Sequence, residues 1–73
     1  MELNHLKYFY AVARENGFSA ASRKLHVQQP SVSRMVKNLE ESLGLVLLER
    51  NKRGVRLTQA GTRVFERCQK IFA

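Results

Sequence analysis

The sequence predicts a mainly helical fold carrying one short β-hairpin. Apolar residues recur at helical spacing in four separate segments, each bounded by cap or stop residues. One stretch, from Leu45 to Leu57, breaks that period and holds the turn signal Asn51-Lys52-Arg53-Gly54 between two apolar runs. The length of 73 residues and the hydrophobic content of 44% suit one small globular domain.

The first helix is expected from about Asn4 to Asn16. Asn4 suits its N-cap, and Leu3 with Tyr8 suits a hydrophobic staple. Leu6, Phe9, Tyr10 and Ala13 form its buried face, and Gly17 stops it by accepting the left-handed conformation. Ser19 is the expected cap of a short second helix ending at Leu25. Its small Ala20 and Ala21 permit close approach of a neighbour, and a tight turn at His26-Val27 follows.

The third helix is the most informative segment. Pro30 suits its first turn, where a missing N–H costs nothing, and Gly44 stops it after Leu43. Val32, Val36, Leu39 and Leu43 share one face. Pro30, Ser33, Arg34, Lys37 and Glu41 share the opposite one. Its N-terminal end therefore offers hydrogen-bonding groups and cations, while Glu40 and Glu41 come only at the far end.

The hairpin is basic, with four cations from Arg50 to Arg56: Arg50, Lys52, Arg53 and Arg56. Thr58 is the expected N-cap of a final helix that runs to the end of the chain. Gly61, Val64, Cys68 and Ile71 alternate at spacings of three and four, with Phe65 and Phe72 beside that seam.

Two helices joined by a short turn, the second with a polar outer face, make a helix-turn-helix. The basic hairpin behind it is a wing. The predicted architecture is a winged helix-turn-helix: a three-helix core, a short β-hairpin wing and a C-terminal helix. Lys and Arg number 13 against 6 acids, a net charge of +7, as a polyanion-binding domain needs. The expected division of labour puts the recognition helix, about 30–43, in the major groove of duplex DNA. The wing, about 49–56, then lies along the backbone or in the minor groove. Phosphate contacts set affinity and register, and base contacts set sequence preference.

Other classes fit less well. No paired carboxylates, nucleophile with a base or phosphate loop appears, so no enzymatic role is expected. Cys68 is the single cysteine, and neither His5 nor His26 stands at metal-ligand spacing, so no metal or cofactor is expected. No apolar run approaches the roughly 18 residues of a membrane span, and no secretory signal pattern opens the chain. A cytoplasmic protein is expected.

At these residues the chain resembles the DNA-binding domain of LysR-type transcriptional regulators. The likeness runs through Leu6, Tyr8 and Phe9, then Phe18, Ala21, Leu25 and Val27. It continues in Gln29-Pro30-Ser31-Val32-Ser33-Arg34, Leu39-Glu40, Leu43-Gly44 and Leu47. Glu49-Arg50, Arg53, Val55, Leu57-Thr58 and Ala60-Gly61 complete it. The resemblance implies that Gln29, Pro30, Ser33 and Arg34 approach bases in the major groove. Their chemistry agrees: Arg34 suits guanine, Gln29 adenine, and the Pro30 ring a thymine methyl. Ser31 and Lys37 flank this patch and suit phosphates. Arg53 matches a wing arginine that reads a narrow, A·T-rich minor groove. Lys52 and Arg56 are equally readable as phosphate contacts or as solvated wing charges.

The chain departs from the family pattern at four places. Gln28 replaces a frequent Ser or Thr that caps the helix and touches phosphate, and is itself an expected DNA contact. Ser22 replaces an Ala, and its hydroxyl needs a backbone partner if buried. Met35 stands where Gln is common, and Leu48 where Phe is usual.

The resemblance also divides the chain: residues 1–57 as the winged helix-turn-helix, and 58–73 as the start of a linker and dimerisation helix. Val64, Phe65, Cys68, Ile71 and Phe72 are then the expected homodimer contacts. The chain is expected to continue into an effector-binding domain that takes a small molecule, and the dimer to read an interrupted inverted repeat. Two other readings stay open: a winged-helix protein-interaction module, and a module for structured RNA.

Overall fold

The computed structural model describes residues 2–72. The elements run α1 (Leu3–Glu15), α2 (Phe18–Leu25), α3 (Gln29–Leu43), β1 (Leu48–Asn51), β2 (Gly54–Leu57) and α4 (Gln59–Phe72). The mainly helical winged architecture expected from the sequence is the one observed. Among the described residues, no helix is long and apolar enough to cross a membrane.

Element boundaries differ from expectation where cap residues compete. α1 starts at Leu3 behind an extended Glu2, with no side-chain cap, so Asn4 lies inside the helix. Leu3 is 61% exposed and is itself helical, which rules out the Leu3–Tyr8 staple. At the other end Asn16, not Gly17, takes the left-handed conformation, at φ 60°. Asparagine tolerates that region better than most residues. This leaves Gly17 extended as the N-cap of α2, so Ser19 is inside α2 and caps nothing.

α2 ends at Leu25 with His26, again left-handed, as its C-cap, and α3 opens one residue earlier than expected, at Gln29. Gln28 holds the N-cap position without a side-chain bond, as a poor capping residue would. Gly44, left-handed at φ 67°, ends α3. The Ser22 hydroxyl finds its partner, donating to the Ser19 carbonyl at 2.7 Å.

The core forms where the helices meet. Phe9, Val12, Ala21, Val32 and Leu39 are fully buried, and Leu47 and Cys68 close the core from the other side. In the antiparallel hairpin Leu48 faces Leu57, Glu49 faces Arg56, Arg50 faces Val55 and Asn51 faces Gly54. The turn is tightened by the Asn51 side chain, whose Oδ1 accepts the Arg53 N–H at 2.8 Å.

Three residues fix the wing and α4. The Glu40 carboxylate accepts the N–H groups of Leu47 at 2.7 Å and Leu48 at 3.2 Å, which sets where β1 begins. Thr58 caps α4 by accepting the Gly61 N–H at 2.9 Å, and its own hydroxyl donates to the Val46 carbonyl at 2.6 Å. Gly61 lies so close to Leu47 that a Cβ there would strike the Leu47 carbonyl oxygen.

α4 packs onto the core across the expected boundary after Leu57. Cys68 is fully buried, and Phe65 and Phe72 both lean on Tyr10 of α1, at centroid distances of 5.2 Å and 5.5 Å. Val64, Phe65 and Phe72 pack against the core, and Ile71 alone of the expected dimer contacts is largely exposed, at 54%. The chain needs this apolar stripe to cover its own α1, because a three-helix core this small leaves that face open.

Candidate nucleic-acid interface

α3 is anchored by Val32, Val36 and Leu39, so its opposite side stands clear of the core. Gln28, Gln29, Pro30, Ser31, Arg34 and Lys37 are all exposed, and Ser33 is half-buried at the edge of this patch. These seven residues occupy the N-cap and the first turns of α3.

Neighbouring side chains hold two of them. The Gln29 amide oxygen accepts the Ser19 hydroxyl from α2 at 3.3 Å. That orients the Gln29 amide so that its NH₂ group is free for another acceptor. Ser33 Oγ accepts a hydrogen bond from Arg50 of β1 at 3.4 Å. The Arg50 guanidinium in turn lies over the Phe18 ring, 4.1 Å from its centroid. A cation over an aromatic face is held by the ring's negative face. The wing, α2 and α3 are thus tied together through one side chain.

The wing tip carries exposed Lys52 and Arg53. Its position is set by the corner between α1 and α2. Asn16 Nδ2 donates to the Arg53 carbonyl at 3.4 Å, and Gly54, at φ 130°, sits against the Asn16 carbonyl, leaving no room for a Cβ. The Arg53 side chain is therefore presented from a backbone fixed on both sides. Arg56 differs: it pairs across the strands with Glu49 at 3.7 Å, both exposed, so part of its charge is already matched.

The charge distribution is one-sided. From Asn16 to Leu39 there are four cations, Arg23, Lys24, Arg34 and Lys37, and no carboxylate. The next acid, Glu40, is engaged by two backbone N–H groups of the wing. Between the starts of α2 and α3 and the wing runs an open groove of about 490 Å³, walled by Phe18, Gln29, Arg50 and Arg53. Of the residues expected to meet DNA, Gln29 and Arg53 share the walls of this groove, and Arg50 links it to Ser33.

Arg50, Phe18 and Glu40 also take part in this face, beyond the site residues expected from the sequence. Arg50 was legible in principle. Strand alternation puts it on the same side as Leu48, and an arginine on the inward side of a hairpin needs a partner.

Residues 3–62 match the family described as bacterial regulatory helix-turn-helix protein, lysR family. The chain belongs to the LysR family. Its fold is that family's winged-helix DNA-binding domain. The chain is 48% identical over 71 residues to the HTH-type transcriptional regulator ClcR of Pseudomonas putida, covering 97% of this chain and 24% of ClcR. The LysR domain also superposes on a crystal structure of the CbnR DBD bound to DNA, with TM-score 0.92, 48% identity, and 97% and 82% of the two chains covered. It superposes equally on a BenM DBD bound to its catB site 1 DNA, with TM-score 0.93 and 46% identity over 97% and 80% of the chains. The chain spans about a quarter of the length of curated relatives such as ClcR.

Proposed function

We propose that this chain is the sequence-reading head of a bacterial LysR-type transcription regulator. α3 enters the major groove of duplex DNA N-terminal end first. Gln29, Pro30, Ser33 and Arg34 read base edges, Gln28, Ser31 and Lys37 hold phosphates, and Arg53 reaches the minor groove. The observation that carries this is the exposed start of α3 beside a cationic wing tip fixed by its own backbone contacts.

The parent regulator is proposed to act in the cytoplasm as a homodimer on an interrupted inverted repeat, with an effector site in a domain beyond residue 73. Dimer pairing is proposed through α4, where Ile71 is the largely exposed apolar residue.

Selection from a random duplex pool at near-physiological salt tests the reading. Enrichment of a defined half-site that Arg34→Ala no longer enriches is the expected result. Binding without any enrichment, lost as salt rises, would reduce the chain to a basic domain with backbone affinity alone. Preference for structured RNA over duplex DNA in competition would overturn it.

A further inference from the structure

The geometry points to Arg50 as the residue that sets the hydrogen-bonding polarity of Ser33 and, through it, the choice of one base. The inference rests on the duplex-reading function proposed above. A serine hydroxyl has one proton to give and two lone pairs to receive with. Inside a helix its proton usually goes back to a carbonyl three or four residues earlier. Ser22 follows that habit, donating to the Ser19 carbonyl at 2.7 Å, and so does Thr62, donating to the Thr58 carbonyl at 3.0 Å.

Ser33 does not. Its Oγ is the acceptor for the Arg50 Nη2, 3.4 Å away, and among the described residues no acceptor holds its proton. Arg50 is kept in place by the Phe18 ring at 4.1 Å. Phe18 is itself core-packed, only 8% exposed, so the platform is rigid. The hairpin register fixes the other end, because Arg50 stands opposite buried Val55. A cation on one lone pair leaves Ser33 facing the groove as a donor.

A donor at that point favours a base with an acceptor edge, guanine or thymine, and disfavours the cytosine amino group. Arg50 is thus a positioning residue acting through Ser33, and the Phe18 ring is its support. A lysine at 50 would keep the charge. It lacks the planar fork that stacks on a ring and donates sideways at once.

The test compares the base preferences of the wild-type chain, Arg50→Lys, Ser33→Ala and the double variant, each by selection from the random duplex pool. The wild type is expected to exclude cytosine at the position whose preference Ser33→Ala abolishes. Arg50→Lys is expected to lose that same discrimination, about 3- to 10-fold for one hydrogen bond, while other positions keep theirs. The double variant is expected to match Ser33→Ala. Phe18→Leu, which keeps apolar bulk and removes the ring, is expected to reproduce Arg50→Lys.

An unchanged profile for Arg50→Lys would overturn the proposal. So would a uniform loss of affinity at every position, since that marks a plain phosphate contact. Both results leave duplex reading intact, which the dependence of the other positions on Arg34 reports separately. A wild-type chain that enriches no motif would overturn both.

Discussion

The front of this molecule, at the start of α3, and the back, along α4, look alike in sequence and differ in the fold. Each offers a helix with one strongly marked face. On α3 the marked polar face stays exposed, because Val32, Val36 and Leu39 occupy the opposite side. On α4 the marked apolar face is consumed by the chain itself, with Cys68 in the core and Phe65 and Phe72 against Tyr10. Periodicity identifies a face. What covers that face depends on how much apolar surface the rest of the domain has left open.

Substitutions separate the two regions, beginning with the largest effect. Gly61→Ala forces a methyl group into the Leu47 carbonyl and displaces α4 from the core. A loss of about 3 kcal/mol is expected in urea unfolding, the upper end for overpacking. Phe65→Ala removes the ring that stacks on Tyr10. A loss of about 2–3 kcal/mol in the isolated domain is expected, since this ring is half-buried and fully buried ones cost more. Unchanged stability there would return α4 to the role of a free interface.

Arg34→Ala, on the front, is expected to do the reverse. Its exposed side chain supports no core contact, so stability should stay within about 0.5 kcal/mol. Base discrimination at one position should fall by about 1–3 kcal/mol in competition binding. Arg53→Ala is expected to be milder, relaxing the preference for A·T pairs under the wing and lowering the slope of log affinity against log salt by about 1.

The smallest effect concerns pH. Burial pushes the Cys68 thiol up from its ordinary value. The native chain therefore keeps its thiol proton where the unfolded chain has lost it. Stability from this source is complete below the unfolded thiol value of about 8.5 and declines as pH rises through the folded one. Wild type minus Cys68→Ala, followed by unfolding from pH 7 to 10, should show that decline.

Much of this was legible in the residues. The cores of all four helices, the Asn51–Gly54 turn and the Thr58 cap follow from period and local chemistry, which act within a few residues. The exposed reading face of α3 was legible for the same reason. The misplaced details depend on competition or on distance. Asn16 and Gly17 could each take the left-handed position, and nothing local decides between them. Glu40 reads as a solvated acid until Leu47 and Leu48 arrive beside it. The pairing of Arg50 with Phe18 spans 32 positions and exists only once the wing has folded onto α2.

The most direct test of the front-and-back account is an NMR titration of the chain with its selected duplex, following backbone amides. The largest shifts are expected at residues 28–37 and 50–53, with residues 64–72 nearly unmoved. Shifts concentrated on α4, with the start of α3 unchanged, would contradict it.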